Sequence, residues 1–77
     1  MSIQLYSAGW CNNCRPVKHL LEENGLVYEP IDIDTPSGAL RADKEGIKSI
    51  PTLVMWGIYH NGLQPCLEAI SGHRQDE

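Results

Sequence analysis

Two cysteines separated by two residues, Cys11 and Cys14, constrain this chain more than any other feature of its sequence. The third cysteine, Cys66, makes the total odd, so the chain does not have the composition of a secreted miniprotein held together by paired disulfides. In a reducing compartment, a C-x-x-C pair is either a redox-active dithiol or half of a metal site. The residues around the pair must therefore decide between these two chemistries.

The chain is short and acidic. Its 77 residues suffice for a single domain, residues 1–77, which buries only about 60% of the surface that the unfolded chain exposes. Hydrophobic residues make up 42% and charged residues 21%, as in globular proteins. A formal net charge of −4 argues against binding to nucleic acid or to an anionic membrane. No apolar run approaches the length of a membrane span, and residues 1–7 lack a signal-peptide pattern, so we expect a soluble, cytoplasmic protein.

Hydrophobic periodicity and turn residues predict elements in the order β-α-β-α-β-β-α. The predicted strands cover residues 2–7, 26–34 and 50–59, and the predicted helices cover residues 12–24 and 37–45. Before the second helix, Thr35 and Pro36 resemble an N-cap followed by a proline at the first helical position. We expect residues 60–62 (HNG) to form the turn that reverses the chain into a hairpin. The tail, residues 64–77, has two interpretations: a helix that begins near Pro65, which we favour, or a last strand over residues 63–70.

The C-x-x-C pair lies between the end of the first predicted strand and the start of the first predicted helix. The N-terminus of a helix carries unpaired N–H groups and about half a positive charge, which stabilise a thiolate at Cys11. Because the thiolate is the nucleophile, Cys11 is the candidate for attack on a substrate disulfide. Cys14 is expected one helical turn further on and less exposed, where it resolves the mixed disulfide.

A zinc site is the main alternative for the pair. Cys66, His60 or His73 could complete a set of four ligands. Structural zinc sites usually place C-x-x-C in a tight turn between strands, whereas here the pair leads into a helix with Val17 and Leu21 on its apolar stripe. A third interpretation is a pair of inert, buried thiols. The redox dithiol is the interpretation that we favour, with no metal and no bound cofactor.

Two segments resemble the thioredoxin superfamily. Residues 10–14 (WCNNC) are similar to its active site with the preceding tryptophan, and residues 46–53 (GIKSIPTL) are similar to the segment that holds a cis-proline facing the dithiol. The resemblance implies that Pro51 packs against the cysteine pair. It also implies that the backbone of Ile50 offers N–H and C=O groups to an extended substrate strand. Trp10 is then expected at the rim of the substrate groove. Tyr6 is a further candidate for that rim, with a core tyrosine as the alternative that we favour.

The length narrows the resemblance to glutaredoxins and to the glutaredoxin-like redoxins that serve ribonucleotide reductase. The implied fold is α/β: a minimal thioredoxin-like (glutaredoxin) fold, with a four-stranded mixed sheet flanked by helices. Residues 60–65 (HNGLQP) resemble the aromatic-Ser-Gly-Phe-Arg-Pro segment of the reductase-linked redoxins in the glycine and the proline. The implied function is thiol–disulfide exchange with protein disulfides by a monomer. Ribonucleotide reductase is the leading substrate, and thioredoxin reductase or glutathione is the source of electrons.

The sequence departs from the usual glutaredoxin pattern around the site. Asn12 and Asn13 replace the Pro-Tyr of C-P-Y-C, and only Gly62 remains of the glycine pair of the glutathione site. Three basic residues are the candidates for contact with the carboxylates of glutathione, and these are Arg15, Lys18 and Lys48. Cys66 is expected to be a small, semi-buried hydrophobic residue, with an accessory thiol open to glutathionylation as the alternative.

Overall fold

The computed structural model describes residues 3–75 and arranges them as a β-α-β-α-β-β-α chain, in the predicted order. The strands are β1 (Ile3–Ser7), β2 (Glu29–Asp32), β3 (Thr52–Met55) and β4 (Ile58–Asn61). The helices are α1 (Cys14–Glu23), α2 (Pro36–Lys44) and α3 (Leu63–Gln75). Within these residues, no helix is both long enough and apolar enough to cross a membrane.

The four strands form one mixed sheet in the order β2-β1-β3-β4. β1 runs parallel to β2 and antiparallel to β3, and β3 runs antiparallel to β4. The parallel pair is joined through α1, because parallel neighbours need a crossover connection. The predicted four-stranded mixed sheet is confirmed, with β1 as a central strand.

Both faces of the sheet are covered, and successive side chains of β1 point to opposite faces. Leu5 packs on one face with residues of α1 and α3 such as Leu21 and Ile70. Tyr6 packs on the other face with Ile31 of β2, Ala42 of α2 and Val54 of β3. A central strand buried on both faces accounts for the almost complete burial of β1.

The ends of the first two helices follow local sequence signals. α1 begins at Cys14, two residues later than predicted, and Pro16 lies in its first turn, where a missing N–H breaks no helical bond. α2 begins as predicted, since the Thr35 hydroxyl accepts a hydrogen bond from the Gly38 N–H at 3.0 Å and Pro36 is the first helical residue. β2 is shorter than the predicted strand and spans four residues.

The hairpin turn lies elsewhere than predicted. The chain reverses at Trp56 and Gly57, whose φ angles are 55° and 79°, so the prediction of a turn at residues 60–62 is wrong. Positive φ at both central residues is the requirement of a two-residue hairpin turn of type I′, and Gly57 meets it without steric cost. β4 therefore begins at Ile58.

The last element is a helix, as favoured from the sequence, and the alternative of a strand over residues 63–70 is wrong. Gly62, with φ of 103°, immediately precedes α3, and so the Asn-Gly pair joins a strand to a helix instead of reversing a hairpin. Cys66 and Ile70, four residues apart, both point into the core from α3. Residues 76 and 77 of the predicted tail lie outside the described residues.

Candidate active site

Cys11 and Cys14 form a disulfide at the junction of β1 and α1. The backbone between them is a tight turn: the Cys11 N–H donates to the Ala8 carbonyl at 3.1 Å, and the Cys14 N–H donates to the Cys11 carbonyl at 3.3 Å. This turn places the two Cα atoms 5.4 Å apart, within the ordinary range for a disulfide. The connection between strand and helix thus brings the two sulfurs together.

The two cysteines differ in exposure. Cys11 is 7% exposed and Cys14 is 1% exposed. An external thiol or disulfide must approach the pair from the solvent, so access favours reaction at Cys11. This asymmetry agrees with the expectation that Cys14 is the more protected of the two.

The start of α1 provides an environment that favours an anion. The N-cap residue Asn13 makes no capping hydrogen bond with its side chain, and the first turn contains no acidic residue. No side chain of that turn therefore offsets the positive end of the helix dipole, which lies beside the cysteine pair. Arg15, in the same turn, adds a positive charge.

A groove of about 530 Å³ lies next to side chains that pack around the disulfide. Its lining is mostly apolar, with one carboxylate and one ammonium group, and consists of Trp10, Ile33, Ala39, Ala42, Asp43, Ile47, Lys48, Ser49 and Ile50. Ile33 and Ile50 also pack against the cluster of Ala8, Cys11 and Cys14. The groove is therefore continuous with the side chains that surround the disulfide.

The segment around Pro51 forms one wall of this groove. The Ile50–Pro51 peptide bond is cis, as the resemblance implied. Ile50 is partly buried and lines the groove, whereas Pro51 is fully buried, and its carbonyl accepts a hydrogen bond from the Gly62 N–H at 2.9 Å. Of the candidate substrate residues, Trp10 and Ile50 thus line the groove together, and Pro51 lies beneath its surface.

Tyr6 does not lie at the rim of the groove, so that prediction is wrong. Its side chain is 1% exposed and packs in the core between β2 and β3. Burial raises the pKa of Tyr6, while the nearby Arg41 acts in the opposite direction. The physical reason is that α2 covers the second face of the sheet, which removes Tyr6 from solvent.

The three basic residues proposed to contact glutathione are not brought together. Lys48 lines the groove. Arg15 and Lys18 lie on α1, and neither contributes to the lining of the groove. Glutathione in the groove would therefore meet one ammonium group, that of Lys48, and also the carboxylate of Asp43.

Cys66 is fully buried, with an exposure of 0%. Its single S–H proton has two acceptors within reach, the carbonyl oxygen of His60 at 3.3 Å and that of Pro51 at 3.8 Å. Burial raises the pKa of the Cys66 thiol to about 11, so the group is protonated at neutral pH and unreactive. The structure therefore agrees with a buried hydrophobic residue and not with an accessible accessory thiol.

The zinc alternative finds no matching cluster in the described part of the chain. Among those residues, no group of three or more His, Cys, Asp and Glu side chains is placed to hold a metal ion. The side chain of His73, one of the ligands considered, lies outside the described residues.

Sequence reasoning missed the wall that α2 contributes to the groove. Ala39, Ala42 and Asp43 share one side of this helix at spacings of three and four residues. That spacing was readable from the sequence. What the sequence did not show is which face of the sheet α2 covers, and therefore that this side of the helix points toward the dithiol.

Comparison with known proteins identifies the family. Residues 3–57 match the family model of glutaredoxins. The chain belongs to the glutaredoxin family. Curated relatives include the glutaredoxin-like protein NrdH of Salmonella typhimurium and that of Escherichia coli. Each is 26% identical over 66 residues, which cover 84% of this chain and 82% of the relative.

Solved structures agree with this assignment. The glutaredoxin-like protein NrdH-redoxin from Escherichia coli superimposes with a TM-score of 0.75 and 25% identity, over 94% of this chain and 93% of that chain. A crystal structure of a thioredoxin-like protein gives a TM-score of 0.78 at 27% identity, over 92% and 97% of the two chains. The minimal thioredoxin-like α/β fold is confirmed, and this glutaredoxin is a thiol–disulfide oxidoreductase with a C-x-x-C pair.

Proposed function

We propose that this glutaredoxin reduces disulfides of other proteins, with Cys11 as the attacking thiol and Cys14 as the resolving thiol. One observation carries the proposal: the two cysteines form a disulfide whose more exposed member lies beside an apolar groove. An apolar groove accommodates side chains that flank a cysteine in an extended segment of a protein. A reducing compartment such as the cytoplasm suits this role, because the dithiol is the working form.

The reaction is two successive exchanges. The Cys11 thiolate attacks one sulfur of the substrate disulfide; that S–S bond breaks, a mixed disulfide forms, and the departing thiolate takes up a proton. Cys14 then loses its proton and attacks the Cys11 sulfur, which releases the second substrate thiol and forms the Cys11–Cys14 disulfide. Two electrons pass from the dithiol to the substrate, and an external reductant must restore the dithiol.

Ribonucleotide reductase is the substrate that we propose first. The support is the similarity to proteins named NrdH and the Gly62 and Pro65 matches to the segment typical of redoxins that serve this enzyme. The groove suits a flexible, disulfide-bearing segment with apolar side chains. The single domain would act as a monomer in this exchange.

Thioredoxin reductase is the electron source that we propose. Glutathione carries two carboxylates, whereas Lys48 is the one basic residue of the groove lining, and Asp43 opposes an anion there. The Escherichia coli relative is described as having a thioredoxin-like activity profile. The second candidate for the electron source is glutathione, which Lys48 favours because its ammonium group can pair with one of the carboxylates of glutathione.

The test is the NADPH-driven reduction of the oxidised protein, either by a bacterial thioredoxin reductase or by glutathione with glutathione reductase. We expect turnover with thioredoxin reductase and only background NADPH oxidation with glutathione. Lys48→Ala and a matched control, Lys44→Ala on α2 outside the groove, separate the two routes. Turnover with glutathione that Lys48→Ala lowers and Lys44→Ala leaves unchanged would contradict our assignment of the reductant.

A further inference from the structure

The side chain of Asn61 connects the end of β4 to the segment before β3. Asn61 is the cross-strand partner of Thr52. Its Nδ2 group donates to the Thr52 hydroxyl at 2.7 Å and lies 3.3 Å from the Ser49 carbonyl oxygen, and its amide also contacts the Ser49 hydroxyl, 2.8 Å from Nδ2 and 3.0 Å from Oδ1. One amide therefore holds both ends of residues 49–52.

The hydrogen-bond donors of this cluster fix the orientation of the Asn61 amide. The Thr52 hydroxyl donates its only proton to the Ser49 carbonyl at 2.7 Å, so it can only accept from Asn61. The Ser49 carbonyl is likewise an acceptor. Asn61 must therefore present its NH₂ group to these two oxygens, and no oxygen at that position can replace it.

A second pair of hydrogen bonds holds the same segment at Pro51. The Pro51 carbonyl accepts from the Gly62 N–H and from the Cys66 thiol. The carbonyl oxygens of Ser49 and Pro51, on either side of Ile50, thus accept hydrogen bonds. By contrast, neither the N–H nor the C=O of Ile50 has a hydrogen-bond partner within residues 3–75. Ile50 is therefore held in place by its neighbours while its own polar groups stay available.

We propose that Asn61 is a positioning residue for protein substrates: it holds residues 49–52 so that the Ile50 backbone can pair with an extended substrate strand beside Cys11. The inference rests on the proposed function, because it needs a protein substrate that pairs with Ile50. Asn61 does not touch the reacting sulfurs. Its removal therefore affects the binding of a protein disulfide and leaves the exchange chemistry of Cys11 and Cys14 intact.

The experiment compares two substrates with the same dithiol. Insulin is the protein disulfide, hydroxyethyl disulfide is the small one that is too short to pair with Ile50, and dithiothreitol regenerates the enzyme. Asn61→Ala removes the amide, and Asn61→Asp keeps its shape but places an acceptor against the Thr52 and Ser49 oxygens. Gln64→Ala is the matched control, since it removes an exposed amide outside the cluster.

We expect both Asn61 variants to raise the KM for insulin about threefold to tenfold, the equivalent of one lost hydrogen bond. Their kcat for insulin and their rate with hydroxyethyl disulfide should stay within about twofold of the wild-type values. Gln64→Ala should match the wild type in all three quantities. Circular dichroism verifies the fold of each variant, and if Asn61→Ala does not fold, the isosteric Asn61→Asp decides the question.

Two results would overturn the inference. The first is an unchanged KM for insulin in a folded Asn61 variant. The second is a parallel fall in the rate with hydroxyethyl disulfide, which would show a general disturbance of the site. Failure of the wild-type protein to reduce insulin, with normal reduction of hydroxyethyl disulfide, would instead contradict the proposed function.

Discussion

At the scale of single residues, the three cysteines show how surroundings decide reactivity. Cys11 lies at the start of a helix beside a groove, Cys14 lies beneath it, and Cys66 is buried in α3 with its thiol bonded to backbone carbonyls. The sequence predicted the first two from their spacing and their position before a helix. It left Tyr6 as a candidate for both the groove rim and the core, because alternation along β1 separates the two faces of the sheet but does not show that both are covered.

Cys66 makes a pH-dependent contribution to stability. Its pKa is raised to about 11 in the folded protein and is about 8.5 in an unfolded chain. Folding therefore favours the protonated thiol; the stabilisation is complete below about pH 8.5 and is lost as the pH rises toward 11. This shift predicts a loss of about 3 kcal/mol across the window.

Urea unfolding of the oxidised protein checks this prediction. In this form Cys11 and Cys14 do not titrate, and Cys66→Ala supplies the reference for every other ionisable group. At about pH 7 we expect Cys66→Ala to be roughly 1–2 kcal/mol less stable than the wild type, because it loses buried sulfur. The difference should shrink by about pH 10.5. A difference that stays constant with pH would show that the Cys66 thiol is not shielded.

At the scale of elements, the packing of α2 on the end of β2 depends on Gly38. A Cβ atom at this position would lie 1.8 Å from the Asp32 carbonyl oxygen, which is backbone and cannot rotate away. α2 supplies Ala39, Ala42 and Asp43 to the groove, so its displacement would reshape the substrate site. By contrast, a Cβ atom added at Gly72, in α3, would lie in open space.

Alanine substitutions at these two helical glycines should therefore have opposite effects. We expect Gly38→Ala to lower the free energy of unfolding by about 1–3 kcal/mol, because α2 must move away from β2. Gly72→Ala should raise it by roughly 0.5–1 kcal/mol, as alanine favours a helix more than glycine does. Chemical denaturation measures both values, and a neutral Gly38→Ala would contradict the close approach of α2 to Asp32.

The hairpin shows where element boundaries escape sequence reasoning. Asn61-Gly62 is a strong turn signal, but its glycine is used to enter α3, and the actual turn uses Trp56 at positive φ. Trp56 is an unusual residue for that conformation, so no local preference pointed to it. The error also concealed the pairing of Asn61 with Thr52, which exists only when the chain turns at residues 56–57.

At the scale of the whole molecule, the order of the elements and the position of the dithiol were predictable, because both follow from hydrophobic periodicity and from motifs that are local in the chain. The groove was not predictable in the same way. It joins Trp10 before α1, Ile33 after β2, α2 and the segment before β3, which are distant in sequence. Only the arrangement of these segments around the sheet brings their side chains to the disulfide.

Trapping of the mixed disulfide tests the central claim most directly. Reduced Cys14→Ser protein is mixed with insulin, and the products are separated without reductant and mapped by mass spectrometry, with Cys11→Ser as the matched control. The account predicts a covalent complex through Cys11 in the Cys14→Ser variant, with catalytic turnover of insulin lost, and neither complex nor turnover in Cys11→Ser. Full turnover by Cys14→Ser, or a complex linked through Cys14 or Cys66, would contradict it.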